Sequence, residues 1–239
     1  VDDITSIFLG DDIVSLETLS GKNINLTTKD KCISTIPITL TANLLGLKTD
    51  LRFRGIKSIY LKYKEKNIIP DNLHWLYYDN DKVFFNRITE TKKMSPQSSP
   101  VDETILTAEI TFSKGDKIDM METKDLEKMV EQQVLETGLT KGKKFIESSS
   151  NTENFVYPVQ TKGYNQELSK VRSFINKFNQ LYSIGTGGEF NYADSQILFH
   201  KAFDIVDILC ERESRSNQVI KQINKNNMNK LININSRII

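Results

Sequence analysis

Three glycines in the stretch LYSIGTGGEFNYADSQ, Gly185, Gly187 and Gly188, are the residues whose type and spacing offer the most chemistry. A short apolar run, residues 181–184, leads into them. Phe190, Tyr192 and Asp194 follow, ahead of a run with helical period: Leu198, Ala202, Ile205, Val206 and Leu209. A strand, a glycine turn and a helix start bring free backbone N–H groups and the positive end of a helix dipole to one point. Glycine admits a flat or anionic ligand where a Cβ would collide. Asp194 or Ser195 suits the N-cap. The same residues equally suit a tight strand-to-helix turn that holds no ligand, because a glycine cluster alone is a weak motif.

Other chemistry is thinner. No serine sits in a G-x-S-x-G elbow, so no catalytic residue is assigned. His200, near the apolar side of its helix, reads as a packed histidine more readily than a catalytic one, and His74 beside Trp75 is equally open. The aromatic segment His74–Trp75–Leu76–Tyr77–Tyr78, with Phe84 and Phe85, reads as hairpin core, though tyrosine pairs also suit a polyol or nucleotide pocket. Arg54 and Arg87 could clamp an anion, since a guanidinium fork binds phosphate bidentately, or could make surface ion pairs.

Composition narrows the classes. With 239 residues, 38% hydrophobic and 26% charged, the chain has the material for one large or two modest soluble domains. A net charge of +1 without a basic stripe argues against nucleic acid as a partner. No apolar run reaches membrane-spanning length and no signal peptide opens the chain. Cys32 and Cys210, far apart, make neither a disulfide framework nor, with two histidines, a metal site, so the cytoplasm is expected. The start at Val1, directly in a strand-like stretch, raises the expectation of a piece of a longer protein.

These residues need elements to position them. Residues 4–9 and 13–19 flank the turn Gly10–Asp11–Asp12, and 24–27 and 31–36 follow as strands. Pro37 would stop a ladder and open a helix over 38–45, ended by Gly46. Strands are expected at 56–63, 74–78, 83–89 and 104–112; in the last, Leu106, Ala108, Ile110 and Phe112 alternate with Thr107, Glu109 and Thr111, the mark of an antiparallel sheet with one buried face. Residues 94–100 read as a loop. A helix spans 123–137 with Thr123 as N-cap, residues 143–159 form a strand pair, and a second helix covers 165–180. Beyond Glu211 the chain is polar, with Val219, Ile220, Ile223, Met228, Leu231 and Ile232 leaving room for a peripheral helix.

The order of several short motifs carries a resemblance. ISTIP (33–37), Arg54, HWLYYD (74–79), FFNR (84–87), Ser95–Pro96, VYPV (156–159), Tyr164 and GTGGEFNY (185–192) resemble the later portion of the flavin-containing amine oxidase and protoporphyrinogen oxidase-like proteins, including UDP-galactopyranose mutase-like members. The resemblance runs from about residue 1 to about residue 207. It implies an α+β fold: an antiparallel (mixed) sheet substrate domain with flanking helices at 49–163, plus the remnant of an FAD-binding α/β domain at 1–48 and 164–212, and a polar tail at 213–239. It implies flavin contacts from Gly185, Thr186, Gly187, Gly188, Phe190, Tyr192 and Asp194, and a substrate pocket drawing on Arg54, Trp75, Tyr77, Arg87, Tyr157 and Tyr164, with Lys162 a further cation for a diphosphate. The substrate is expected to be a small molecule, a nucleotide-sugar or an amine.

Two departures stand out. The family turn reads Gly-Arg-x-Gly-x-Phe-x-Tyr-x-Asn-x-Asp; here Thr186, Asp194 and Gln196 take the Arg, Asn and Asp positions, which removes a cation from the flavin side. Nor does the chain contain a G-x-G-x-x-G after a strand, the fingerprint that holds the FAD pyrophosphate. The resulting expectation is part of an FAD-dependent oxidoreductase or nucleotide-sugar mutase-like protein, whose N-terminal Rossmann half lies outside this chain and without which FAD is not retained. The alternative is a non-catalytic binding or scaffolding domain that kept the architecture without the flavin.

Overall fold

The computed structural model describes residues 3–9, 14–27 and 29–211. It divides into two compact units, Val1–Thr41 with Phe178–Ile239, and Ala42–Lys177. The turn expected at Gly10–Asp11–Asp12 and the segment beyond Glu211 lie outside the described residues.

The first unit opens with an antiparallel meander of β1 (Ile4–Leu9), β2 (Val14–Thr18) and β3 (Asn23–Leu26). β4 (Cys32–Ser34) follows, and Pro37, which has no N–H for a ladder, leads straight into α1 (Ile38–Leu44), within which the first unit ends at Thr41 and the second begins at Ala42. Gly46, at a φ of +79°, closes that helix in the left-handed conformation a Cβ would disfavour.

The second unit is built on a five-stranded antiparallel sheet. Its strands are β5 (Phe53–Tyr63), β6 (Trp75–Tyr77), β7 (Arg87–Glu90), β8 (Thr104–Phe112) and β9 (Phe145–Pro158), in the order β6-β7-β8-β5-β9. Burial alternates residue by residue along β5 and β8, as period-2 side chains must when only one face is covered. The covered face presents Ile59, Leu61, Tyr63, Ile88, Leu106, Ala108 and Ile110 to Leu126, Val130 and Val134 of a helix. Each Leu, Ile or Val side chain among these contributes roughly 1.5–3 kcal/mol by leaving water.

Between β8 and β9 lie α2 (Lys117–Met120), capped by the Asp116 carboxylate, and α3 (Thr123–Glu136), which supplies those three apolar residues. Glu127 of α3 is buried and accepts hydrogen bonds from Ser148 at 3.0 Å and Ser150 at 2.9 Å, tying the helix to β9. α4 (Tyr164–Ile175) buries Leu168, Val171 and Ile175. The chain then returns to the first unit through β10 (Leu181–Ser183), the short helical turn α5 (Gly185–Gly188) and α6 (Ser195–Glu211). β10 pairs in parallel with β4. The class is α+β, as expected.

Several local expectations are corrected. Where a strand pair was expected over 143–159, one long strand, Phe145–Pro158, forms: Ser148–Ser150 have no turn geometry to adopt while each pairs with β5. Glu122, not Thr123, holds the N-cap position of α3. Strand β7 starts only at Arg87, because the Phe84 N–H is taken by the Gln133 side chain at 3.0 Å. The second helix ends at Ile175 rather than at 180, and residues 96–98, inside the expected loop, form a 3-10 turn started by Pro96.

Candidate functional site

The uncovered face of the five-stranded sheet gathers most of the expected substrate residues. Residues directly opposite in adjacent strands share a face, and the register sets Tyr77 against Arg87, Arg87 against Glu109, Glu109 against Ser58, and Ser58 against Asn151. The neighbouring row runs Trp75, Thr89, Thr107, Tyr60, Ser149. Arg54 lies opposite Tyr157 farther along β5. Parity splits the aromatic segment: Trp75 (46% exposed) and Tyr77 (68%) stand on the open face, while Phe85 is buried and Tyr78 meets it edge-on at 4.9 Å.

The two arginines differ in their freedom. Nη2 of Arg87 reaches the Glu109 carboxylate at 2.6–2.7 Å, and the guanidinium lies 6.0 Å from the Tyr77 ring centre. The bond to Glu109 holds the Arg87 pKa above its ordinary value, against the opposing effect of burial. Its Nε is buried with no hydrogen-bond partner. Arg54 is exposed and donates to the Thr111 carbonyl at 3.4 Å. Two strand spacings and four residues along β5 separate them, roughly 16 Å between backbones, so the sheet does not bring them together on one phosphate.

Tyr164 stands elsewhere in this unit, in a cleft of about 180 Å³ where β5 begins and β9 ends. Lys162 lines it, with Asp50, Arg52, Thr161 and Glu167. Glu167 accepts from the Thr49 hydroxyl at 2.9 Å and pairs with Lys170 at 3.3 Å; the Thr49 bond is the main cause of its lowered pKa. Arg52 was not foreseen, and neither were Glu109, Ser58 and Tyr60; the alternation of β5 from Arg54 to Lys62 was the signal that could have placed the last two.

The glycine turn belongs to the first unit. The Ile184 N–H donates to the Ser34 carbonyl at 2.9 Å, extending the parallel pair into the turn, and the Ser183 hydroxyl donates to the Gly188 carbonyl at 2.7 Å. Gly185 has a φ of +84° with open space where a Cβ would stand. The other two glycines face the chain itself. A Cβ on Gly187 would lie 3.2 Å from Pro37 N, and one on Gly188 would lie 3.1 Å from the Ser34 carbonyl oxygen. Phe190 is buried at a φ of +53°, Tyr192 is 62% exposed, and the Asp194 carbonyl accepts the first bonds of α6 from Ile197 and Leu198.

These residues do not fit a whole FAD. The turn offers open space only at Gly185, and the close approaches that Gly187 and Gly188 permit are filled by residues 34–37. Thr186 brings no cation.

His200 is exposed on α6, which corrects the expectation of a packed histidine. Cys32 is half-buried, and burial pushes its thiol pKa up. Among the described residues no group of three or more His, Cys, Asp or Glu could hold a metal, and no helix is long and apolar enough to cross a membrane.

No protein-family model matches the sequence, and no curated protein matches it. Solved structures do. A crystal structure of reduced UDP-galactopyranose mutase superposes with a TM-score of 0.63 at 19% identity, over 74% of this chain and 39% of that one. A protein assigned as a protoporphyrinogen oxidase from Exiguobacterium sp. 255-15 superposes with a TM-score of 0.59 at 14% identity, over 85% of this chain and 47% of that one. The chain thus shares a distant fold with these proteins and spans less than half the length of either.

Proposed function

We propose that this chain is the substrate domain and the closing segment of an FAD-dependent oxidoreductase or nucleotide-sugar mutase-like flavoprotein of the cytoplasm. In this reading the N-terminal, pyrophosphate-binding half is supplied elsewhere in the same protein, and the chain alone is inactive. The open sheet face, with Arg54, Trp75, Tyr77, Arg87 and Tyr157, shapes a pocket for a small molecule such as a nucleotide-sugar or an amine. Tyr164 and Lys162 extend it, and the turn from Gly185 to Asp194 borders the flavin, which carries the redox or covalent chemistry when bound.

The observation that supports this reading is how little apolar core the described residues of the first unit enclose. Its parallel sheet has two strands of three residues each, whereas parallel sheets are ordinarily covered on both faces. Ile38, Leu181 and Phe190 are its only fully buried apolar residues among those described, while Ile33 (43%), Ile36 (39%) and Phe8 (57%) are exposed. Such a unit fits one that completes its core on further strands. The shared fold with much longer proteins supports the same conclusion.

The second reading, a scaffold that kept the architecture without flavin, draws on Thr186, Asp194 and Gln196 and on the commitment of Arg87 to Glu109. Purifying a longer form that includes the upstream residues separates the two. Visible flavin absorbance, with none retained by the 239-residue chain, is expected. A colourless longer form that takes up no added FAD leaves the scaffold reading standing.

A further inference from the structure

The cleft at the start of β5 and the end of β9 gathers two cations from distant parts of the chain. The Val159 N–H donates to the Arg52 carbonyl at 2.9 Å, so the two strand ends lie side by side and bring Arg52 next to residues 159–162. Gly163, at a φ of +88°, turns the chain there, and Lys162 and Tyr164 on either side of it both line the cleft. A second tie, from the Thr49 hydroxyl to Glu167 at 2.9 Å, fixes the segment before Asp50 against α4.

Charge decides what such a cleft holds. Glu167 is already engaged by Thr49 and Lys170. Arg87 is spent on Glu109, and Arg54 reaches the Thr111 carbonyl. Arg52 and Lys162, by contrast, ion-pair with no carboxylate among the described residues, although Asp50 stands in the same lining. A guanidinium fork takes two oxygens and an ammonium a third, which a phosphate supplies and a single carboxylate does not. At about 180 Å³ the cleft falls below the range of about 300–1,000 Å³ that encloses a whole drug-sized ligand, so it suits one group of a larger molecule or a small anion.

We propose that this cleft binds a phosphate or diphosphate group, with Arg52 and Lys162 as its cations and the Thr161 hydroxyl as a further donor. The inference deepens the reading above by seating the anionic end of the substrate here instead of at Arg54 and Arg87. It rests on that reading only for the molecule that carries the phosphate.

Titration of the 239-residue chain with inorganic pyrophosphate tests it. Saturable binding to one site is expected, weakening several-fold as salt rises from about 50 to about 200 mM. Arg52→Ala and Lys162→Ala should each weaken it about fivefold or more, Arg52→Lys less than Arg52→Ala, and Asp50→Asn should tighten it. The Arg52 and Lys162 side chains are exposed, so their loss leaves the fold in place. Lys128→Ala, at an exposed lysine on α3, should change nothing. A nucleoside diphosphate that binds tighter than pyrophosphate assigns the group to a nucleotide; equal or weaker affinity assigns it to the free anion. No saturable binding, an equal loss in Lys128→Ala, or acetate binding as tight as pyrophosphate each overturn the proposal. Flavin enters none of these measurements: a yellow longer form without a pyrophosphate site ends this inference alone, and a colourless longer form with an intact site ends only the flavoprotein reading.

Discussion

Arg87 and Glu109 stand directly opposite each other on β7 and β8, with one guanidinium nitrogen 2.7 Å and 2.6 Å from the two carboxylate oxygens. Both are part-exposed, at 35% and 18%, so the pair is screened by water and its worth is modest. Glu109→Gln should lower unfolding free energy by about 0.5–1 kcal/mol, read from the urea midpoint at constant slope. An unchanged midpoint would mean that the pair organises the open face without stabilising it.

Glu127 gives the acid limb of stability a named contributor. Burial pushes its carboxyl pKa up, but hydrogen bonds from Lys124, Ser150 and Ser148 outweigh that effect and hold it below the ordinary 4.5. A depressed carboxylate stabilises the fold above its unfolded pKa, and that contribution disappears as pH falls through the folded value. Glu127→Gln should therefore cost about 1–2 kcal/mol at neutral pH, and the gap from the parent should narrow only below about pH 4.5. A gap that is the same at pH 7 and pH 3 contradicts this account.

Gly187 is held to its type by Pro37. A Cβ there would stand 3.2 Å from Pro37 N and 3.3 Å from its Cα, both backbone atoms that yield little. Gly187→Val should destabilise the first unit by about 1–3 kcal/mol even with no flavin present. Fluorescence of Tyr182, one strand residue from the turn, is too weakly specific to report this, so amide exchange over β4 and β10 is the measurement. Unchanged exchange there, together with loss of flavin from a longer form, would assign the glycine to the cofactor instead of to the packing.

Local patterns decided much of this protein. The alternation in β8 places its buried and wet faces, the 3.6-residue period of Leu126, Val130 and Val134 marks α3, and Pro37 and Gly46 bracket α1. In each case the information lies within a few neighbouring residues, whose spacing sets which side chains share a face. What the tertiary structure alone decided was which distant segments meet. Tyr77, Arg87, Glu109 and Ser58 form one row only because β6, β7, β8 and β5 pair in that register. Gly187 and Gly188 press against residues 34–37 because β10 pairs in parallel with β4 across some 150 residues of intervening chain. Strand pairing over such separations depends on the summed fit of many side chains, and no short window of sequence contains it.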